Sequence, residues 1–492
     1  MKSMRRRTFV ANLAGPLLLR PAPAVAIDVG GRKQLFIDDL FFAEVQGVRL
    51  TVNRPRLTGE RCLVADQPWE GHRICAYNSV MEDGGEFRMW YDAIANDRSR
   101  WLCHATSQDG VVWRKARLEL TPFGGRKPTS IVFPPEPMPH EPSCVFKDTN
   151  PKCPPEERYK MVCSLRPPGG ERGTWVAASP NGLRWKLLGS RPAFRPSDTA
   201  NICFYDERLG RYAAYVRVWQ PQRKVGRCEF DDITNWGAET VVFSYDDEDQ
   251  VRLDRGLFTA MDFYTSAALK YRPADNVYLL FPTAYYHFRE DVARARGAER
   301  EARNDGPMDI QFAVSRDGVR WRRPDREPFI RLGKTGEFDS GYAYMASGAI
   351  HRADEIWLYY AVAEMTHGNY DVVRDKLKGA ITRAVLRLDG FMSADADYRG
   401  GWFVTPPLKF LGRQLTLNVD TGAGGHLRIE LEDESRHALP GYSLADCDPV
   451  NGNSVRQVVS WRGDSDVSQL SGRPLRVRFE MRDAKLHAFQ FA

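Results

Sequence analysis

The chain has 492 residues, of which 42% are hydrophobic and 11% aromatic, with 40 Gly and 31 Pro. It holds 70 basic and 64 acidic residues, but residues 1–26 contain five of the basic ones and no acid, so the remainder carries a net charge of +1. That balance leaves no electrostatic footprint for nucleic acid or an anionic membrane as partner, and no stretch beyond the N-terminus is long and apolar enough to be a membrane span.

Taken in chain order, the first element is a leader. Arg6, Arg7, Thr8, Phe9 and Val10 look like a twin-arginine export signal. An apolar run over residues 9–19 follows, and Ala24, Val25 and Ala26 supply the small-residue pattern of a cleavage site. Residues 1–26 are therefore expected to be removed on export to the periplasm or the medium. The nine Cys are odd in number and form no CxxC pair, so neither a zinc ribbon nor a redox motif is indicated. Cys75, Cys144, Cys163 and Cys203 lie in apolar runs and read as small buried hydrophobes.

Next comes an internal repeat. Ser107–Trp113, Ser179–Trp185 and Ser315–Trp321 share the form Ser-x-Asp/Asn-Gly-x-x-Trp. Asp-Gly and Asn-Gly favour tight hairpin turns through positive φ at both central residues, and the Trp then opens the return strand. Five short strands of small and aromatic residues recur as well, ending at Ser79, Ser143, Asn201, Ser266 and Ser347, at spacings of 64, 58, 65 and 81 residues. Aromatic-led partner strands start at Phe87, Tyr159, Tyr212, Tyr278 and Trp357. Five units of this size predict an all-β, five-bladed β-propeller over residues 27–403, with the small strands lining the channel. The longest spacing holds a charged, helix-prone insertion over residues 289–303, which reads equally as a lid or a solvated excursion. After Ser393 the strands alternate strictly, as in 415–418, 427–431, 457–461 and 475–479. That texture predicts a C-terminal β-sandwich over residues 404–492.

Five blades followed by a β-sandwich is the architecture of glycoside hydrolase family 32, and the bladed part is shared with family 43. The chain resembles an exported family-32-like group in residues 35–39, 198–201, 262–265, 309–318 and 487–491. The resemblance implies a carbohydrate substrate, no cofactor, and a carboxyl pair in the propeller funnel. It departs from characterised family 32 enzymes in the first blade, where their Asn-Asp-Pro-Asn nucleophile motif is replaced by Tyr77, Asn78 and Ser79.

Glycoside hydrolysis needs two carboxyl groups across the scissile bond. Glu141, Asp198 and Asp262 sit at or just before three consecutive inner strands and are the expected catalytic acids, Asp198 and Asp262 first. Two of them have a plainer reading: Asp198 caps a turn, and Glu141 pairs with an arginine. His140, Tyr264, His287, Asp339, Tyr344 and His367 are the expected substrate-binding residues, the histidines for hydroxyl groups and the tyrosines for stacking. No His spacing points to a metal. Two further readings stay open: a non-catalytic sugar-binding propeller, and phosphorolysis using a basic site drawn from Arg73, Arg217 and Arg227.

Overall fold

The computed structural model describes residues 26–71, 73–74, 76–134, 140–298, 301–369 and 379–492, and of His140 and Ser143 the backbone only. The expected leader up to residue 25, Cys75 and the His140 side chain lie outside the described residues. No described helix is long and apolar enough to cross a membrane. The eight described cysteines are all unpaired.

The protein is all-β. Four sheets, of six, four, four and nine strands, follow one another round a propeller-like ring. The first is built on Ser79–Asp83, Glu86–Ile94 and Arg100–Ser107. The second runs His140–Lys147, Tyr159–Leu165, Gly173–Ser179 and Lys186–Leu187. The third runs Ile202–Asp206, Arg211–Trp219, Arg223–Phe230 and Thr240–Phe243. In the nine-stranded sheet, Phe258–Phe263, Thr283–Phe288 and Met308–Ile310 connect through the single pairing of Met308 with Tyr342 to Tyr342–Met345, Glu355–Ala363 and Ala380–Arg387. The middle strands are buried on both faces: every residue of Tyr159–Leu165 is buried. A sheet wedged between two others has no solvent face, so its strands lose the alternation of a one-sided sheet.

The repeated motif holds neighbouring sheets together. In each copy the Ser hydroxyl accepts from the Gly amide, at 2.8 Å for Gly110, 2.9 Å for Gly182 and 2.8 Å for Gly318. The Asp or Asn side chain accepts from the next two amides. The Gly carbonyl then accepts from an aromatic donor on the adjacent sheet: Tyr359 to Gly110 at 2.6 Å, Trp90 to Gly182 at 2.7 Å and Tyr215 to Gly318 at 2.9 Å. Only the Gly takes positive φ, not both central residues as expected, because the loop is longer than a two-residue turn. The aromatic-led strands make a second set of ties. Tyr159 bonds Asp83, Tyr212 bonds Asp148 at 2.7 Å and Tyr278 bonds Asp206 at 2.5 Å, each carboxylate lying on the preceding unit.

A Cβ on Gly110 would stand 2.5 Å from the Trp357 ring at φ +74°, whereas at Gly59, φ +73°, nothing lies within 4 Å. Gly110→Ala is expected to cost about 2–4 kcal/mol, combining left-handed strain with the clash, and Gly59→Ala only about 1 kcal/mol. Urea denaturation of the two variants checks the difference.

The ring is closed by a segment far away in sequence. Arg56–Leu57 and Leu63–Val64 pair with Ala380–Arg387. A three-stranded sheet of Leu269–Lys270, Tyr278–Leu280 and Ala313–Ser315 and a two-stranded pair of Ile27–Gly30 with Leu408–Phe410 stand beside these, and an eight-stranded sheet is dominated by Leu415–Glu432 against Arg476–Phe491. Its core includes Phe36, Phe41, Phe403, Phe479 and Phe489. Two of the short strands expected here, 415–418 and 427–431, are parts of one 18-residue strand with a register shift between Thr421 and His426. The sequence assigns residues 27–403 to the propeller. The pairing instead takes Gln34–Leu35, Met392–Ala396 and Gly401–Val404 onto Arg476–Phe491, and Glu44–Gln46 and Val48–Val52 onto Gly401–Val404 and Met392–Ala396 in turn, so all five belong to this C-terminal sheet.

Candidate functional site

The candidate acids gather at the centre of the ring because two kinds of residue converge there. The inner segments bring Tyr77, Glu141, Asp198, Asp262, Tyr264 and Tyr344. The joined ends of second and third strands bring Arg100, Arg217, Trp219 and Arg223, the end of Thr283–Phe288 brings His287, and the loop after Glu355–Ala363 brings His367. Arg217 donates to Asp198 Oδ1 at 2.8 Å, Thr199 Oγ1 at 3.0 Å and the Tyr264 carbonyl at 2.8 Å. Arg223 Nη1 donates to Asp262 Oδ2 at 3.1 Å, and His287 Nε2 lies 3.2 Å from the same oxygen. Arg100 grips Asp92 with two bonds of 2.7 Å and reaches Glu141 Oε1 at 3.0 Å. Between them the Tyr77 hydroxyl donates to the Asp198 carbonyl at 3.4 Å. The aromatic rings complete the set: Tyr344 lies 6.4 Å from Tyr77 and 5.6 Å from Tyr264, centre to centre.

The three acids differ in access. The Asp198 side chain is 52% exposed, that of Glu141 34% and that of Asp262 2%. Asp262, expected on an open funnel wall, is enclosed, and its Oδ1 is buried without a hydrogen-bond partner. Burial pushes the Asp262 carboxyl up; the His287 hydrogen bond and the Arg223 charge outweigh that and hold it below the ordinary Asp range.

His367 is fixed as a neutral acceptor. Its Nδ1 lies 3.1 Å from the Asn304 carbonyl, which can only accept, so Nδ1 carries the proton and Nε2 accepts from the Tyr264 hydroxyl at 3.2 Å. Burial drives the ring down to about 3, opposed by the Asn304 carbonyl and assisted by the charges of Arg73, Arg223 and Arg217. Asn304 ends the charged insertion, which packs in place through Phe288, Ala293, Ala298 and Ala302 and so walls one side of the cluster.

A pH dependence follows. The unfolded imidazole takes its proton near 6.5, the folded one only near 3. Between those values the unfolded state binds the extra proton, so stability is full above about pH 6.5 and is lost as pH falls towards 3. His104 and His487, both held down to about 3 by burial, add to the loss in the same window. The urea midpoint is expected to drop between about pH 7 and about pH 4.5, with a shallower drop in His367→Gln.

Of the expected site residues, Glu141, Asp198, Asp262, Tyr264, His287, Tyr344 and His367 come together. Asp339 stands apart in the loop over residues 333–339, its backbone carbonyl accepting from Gly333 at 3.2 Å. Burial pushes its carboxyl up, and the Glu337 charge adds to that. Arg227 is engaged in the sheet-to-sheet tie, donating to Tyr215 at 2.6 Å, rather than in the cluster. Sequence reasoning missed Arg100, Arg223 and Trp219, and weighed Arg217 only for phosphate. The available signal was an arginine inside an apolar strand run (residues 215–219): such a residue is almost never buried unless paired. Asp309, pushed up to about 7 by burial, accepts from Gln311 Nε2 at 2.8 Å.

Among the described residues no group of three His, Cys, Asp or Glu is arranged to hold a metal ion. No protein-family profile matches the sequence, and no curated protein matches it. Among solved structures, the chain is similar to one described as a glycoside hydrolase, at 13% identity over 68% of this chain and 92% of that one, TM-score 0.44. It is similar to a thermostable family-43 glycoside hydrolase at 13% identity over 69% and 96%, TM-score 0.41. A third is the β-1,2-mannobiose phosphorylase from Listeria innocua with bound β-1,2-mannobiose, at 11% identity over 68% and 97%, TM-score 0.43.

Proposed function

We propose that this is an exported carbohydrate-active enzyme that receives a saccharide in the central funnel and hydrolyses a glycosidic bond there. The observation that carries the reading is the cluster itself. Three carboxyl groups from distant segments are each paired to an arginine, Glu141 to Arg100, Asp198 to Arg217 and Asp262 to Arg223, and the Tyr77 and Tyr264 rings lie against those guanidinium groups. Asp198 and Glu141 are the pair that reaches solvent, and so the pair that meets the substrate. Asp262 is a positioning residue that holds Arg223 beside His287. Tyr264 and His367 present a hydroxyl and a neutral imidazole suited to sugar hydroxyl groups.

The ring is a five-bladed propeller on this reading, with the nine-stranded sheet being two blades joined at Met308 and Tyr342. A cavity of about 350 Å³ on the channel supports the count, since it is lined by five inner segments, residues 80–82, 145–147, 202–204, 268–272 and 347–349. The C-terminal sheet, folded over its aromatic core, is the sandwich. Export rests on the leader; protein recovered from its host should begin at or near Ile27, and a retained Met1 would end that part of the proposal.

One observation favours a binding module instead: each candidate acid is held by an arginine. Purified protein screened against soluble plant, algal and yeast polysaccharides separates the two. Release of new reducing ends supports hydrolysis, retention in a native affinity gel without release supports the binding module, and neither result refutes the carbohydrate reading.

A further inference from the structure

We infer that Trp219 is the platform of a sugar subsite at the funnel mouth, receiving the flat C–H face of a pyranose ring. The inference rests on the carbohydrate reading and deepens it by naming the residue and the ring type. Trp219 closes Arg211–Trp219 and pairs with Arg223 across the turn over residues 220–222. It is 50% exposed, and the only exposed tryptophan among the described residues. The others pack in the core or in the ties between sheets.

A single exposed apolar side chain needs no explanation in general. Trp219 differs in what stands behind it. The Arg223 guanidinium lies 4.5 Å from its ring centre and that of Arg217 lies 5.7 Å away. Both arginines are buried, and neither is free to swing, because Arg223 is paired to Asp262 and Arg217 to Asp198. Arg223 is also stacked 5.0 Å from the Tyr264 ring. The indole is thus a rigid plate, backed by cations and partly open to water. A plate of that kind binds a ring that is apolar on one face and polar round its edge. A pyranose with equatorial substituents has that form; a furanose, puckered and smaller, does not. A ring resting there lies one side chain away from both Asp198 and Asp262.

The test uses the full mature chain with Trp219→Ala and Trp219→Phe, on native affinity gels containing xylan, β-glucan or galactan, with arabinan and fructan as furanose comparisons. Retention by a pyranose polymer is expected to weaken about tenfold in Trp219→Ala and to return to within about threefold in Trp219→Phe. Wild-type retention in Trp219→Ala overturns the inference and leaves the proposed function standing. Loss of binding in both variants together with a lowered melting midpoint assigns Trp219 a structural role and also overturns it. Wild-type protein that binds only arabinan or fructan overturns the pyranose assignment. No binding or cleavage of any polymer by the wild type removes the carbohydrate reading and this inference with it.

Discussion

Asp198→Asn and Glu141→Gln are each expected to lower kcat about 10²–10⁴-fold on any saccharide the wild type cleaves, the range for losing a general acid or base. Asp198 and Glu141 project from neighbouring inner segments, and among the three central acids they are the two that solvent reaches. Each is steadied on one oxygen by an arginine, Arg217 at 2.8 Å and Arg100 at 3.0 Å. That contact aims the carboxyl; it leaves the other oxygen of Asp198 for the substrate, whereas Glu141 Oε2 is buried without a hydrogen-bond partner and meets a substrate only if the Glu141 side chain turns. Both substitutions are isosteric and leave the neighbouring arginines other partners: Thr199 and Tyr264 for Arg217, Asp92 for Arg100. Melting midpoints should therefore stay near wild type while turnover collapses. Normal turnover in both variants would sink the assignment and shift the chemistry to Asp262.

Arg223→Met is expected to destabilise the protein by about 3–5 kcal/mol, as breaking a buried pair from one side strands the other charge. Asp262 is enclosed, and without the Arg223 side chain its carboxylate loses its one direct arginine partner and keeps only contacts with the His287 ring and the backbone amide of residue 223. Removing both charges should cost less than the sum of the single variants, because Arg223→Met with Asp262→Asn leaves no orphaned ion. Guanidinium denaturation of the wild type, the two single variants and the double variant measures that coupling. A loss below about 1 kcal/mol for Arg223→Met would mean the pair behaves as an exposed ion pair. The same pairing sets a pH effect. The folded Asp262 carboxyl lies below its unfolded value, so its contribution is present above the unfolded pKa of about 3.9 and disappears as pH falls through the folded one. Asp262→Asn should remove that part of the acid sensitivity.

What the sequence determined by itself is the repeating, local part of this protein. Ser-x-Asp/Asn-Gly-x-x-Trp is legible because its Ser, Asp or Asn and Gly bond within a few residues of one another. The aromatic-led strands beginning at Tyr159, Tyr212 and Tyr278 are legible because each makes the same tie to the unit before it. The positions of Glu141, Asp198, Asp262, Tyr264, His287 and His367 near one another follow from that periodicity, since equivalent places in successive units face a common axis. The tertiary structure decided everything that depends on a partner distant in sequence. Residues 56–64 complete a strand order begun more than 300 residues later, and residues 34–52 join the C-terminal sheet. Nothing local marks them for it, because strand pairing is made by backbone groups that every residue carries. It likewise decided that Asp262 is enclosed while Asp198 stays half exposed, that Arg100, Arg217 and Arg223 each pair with one of the acids, and that Trp219 lies over two of those guanidinium groups. Charge and shape become specific only when the ring closes and removes water from one side of each group.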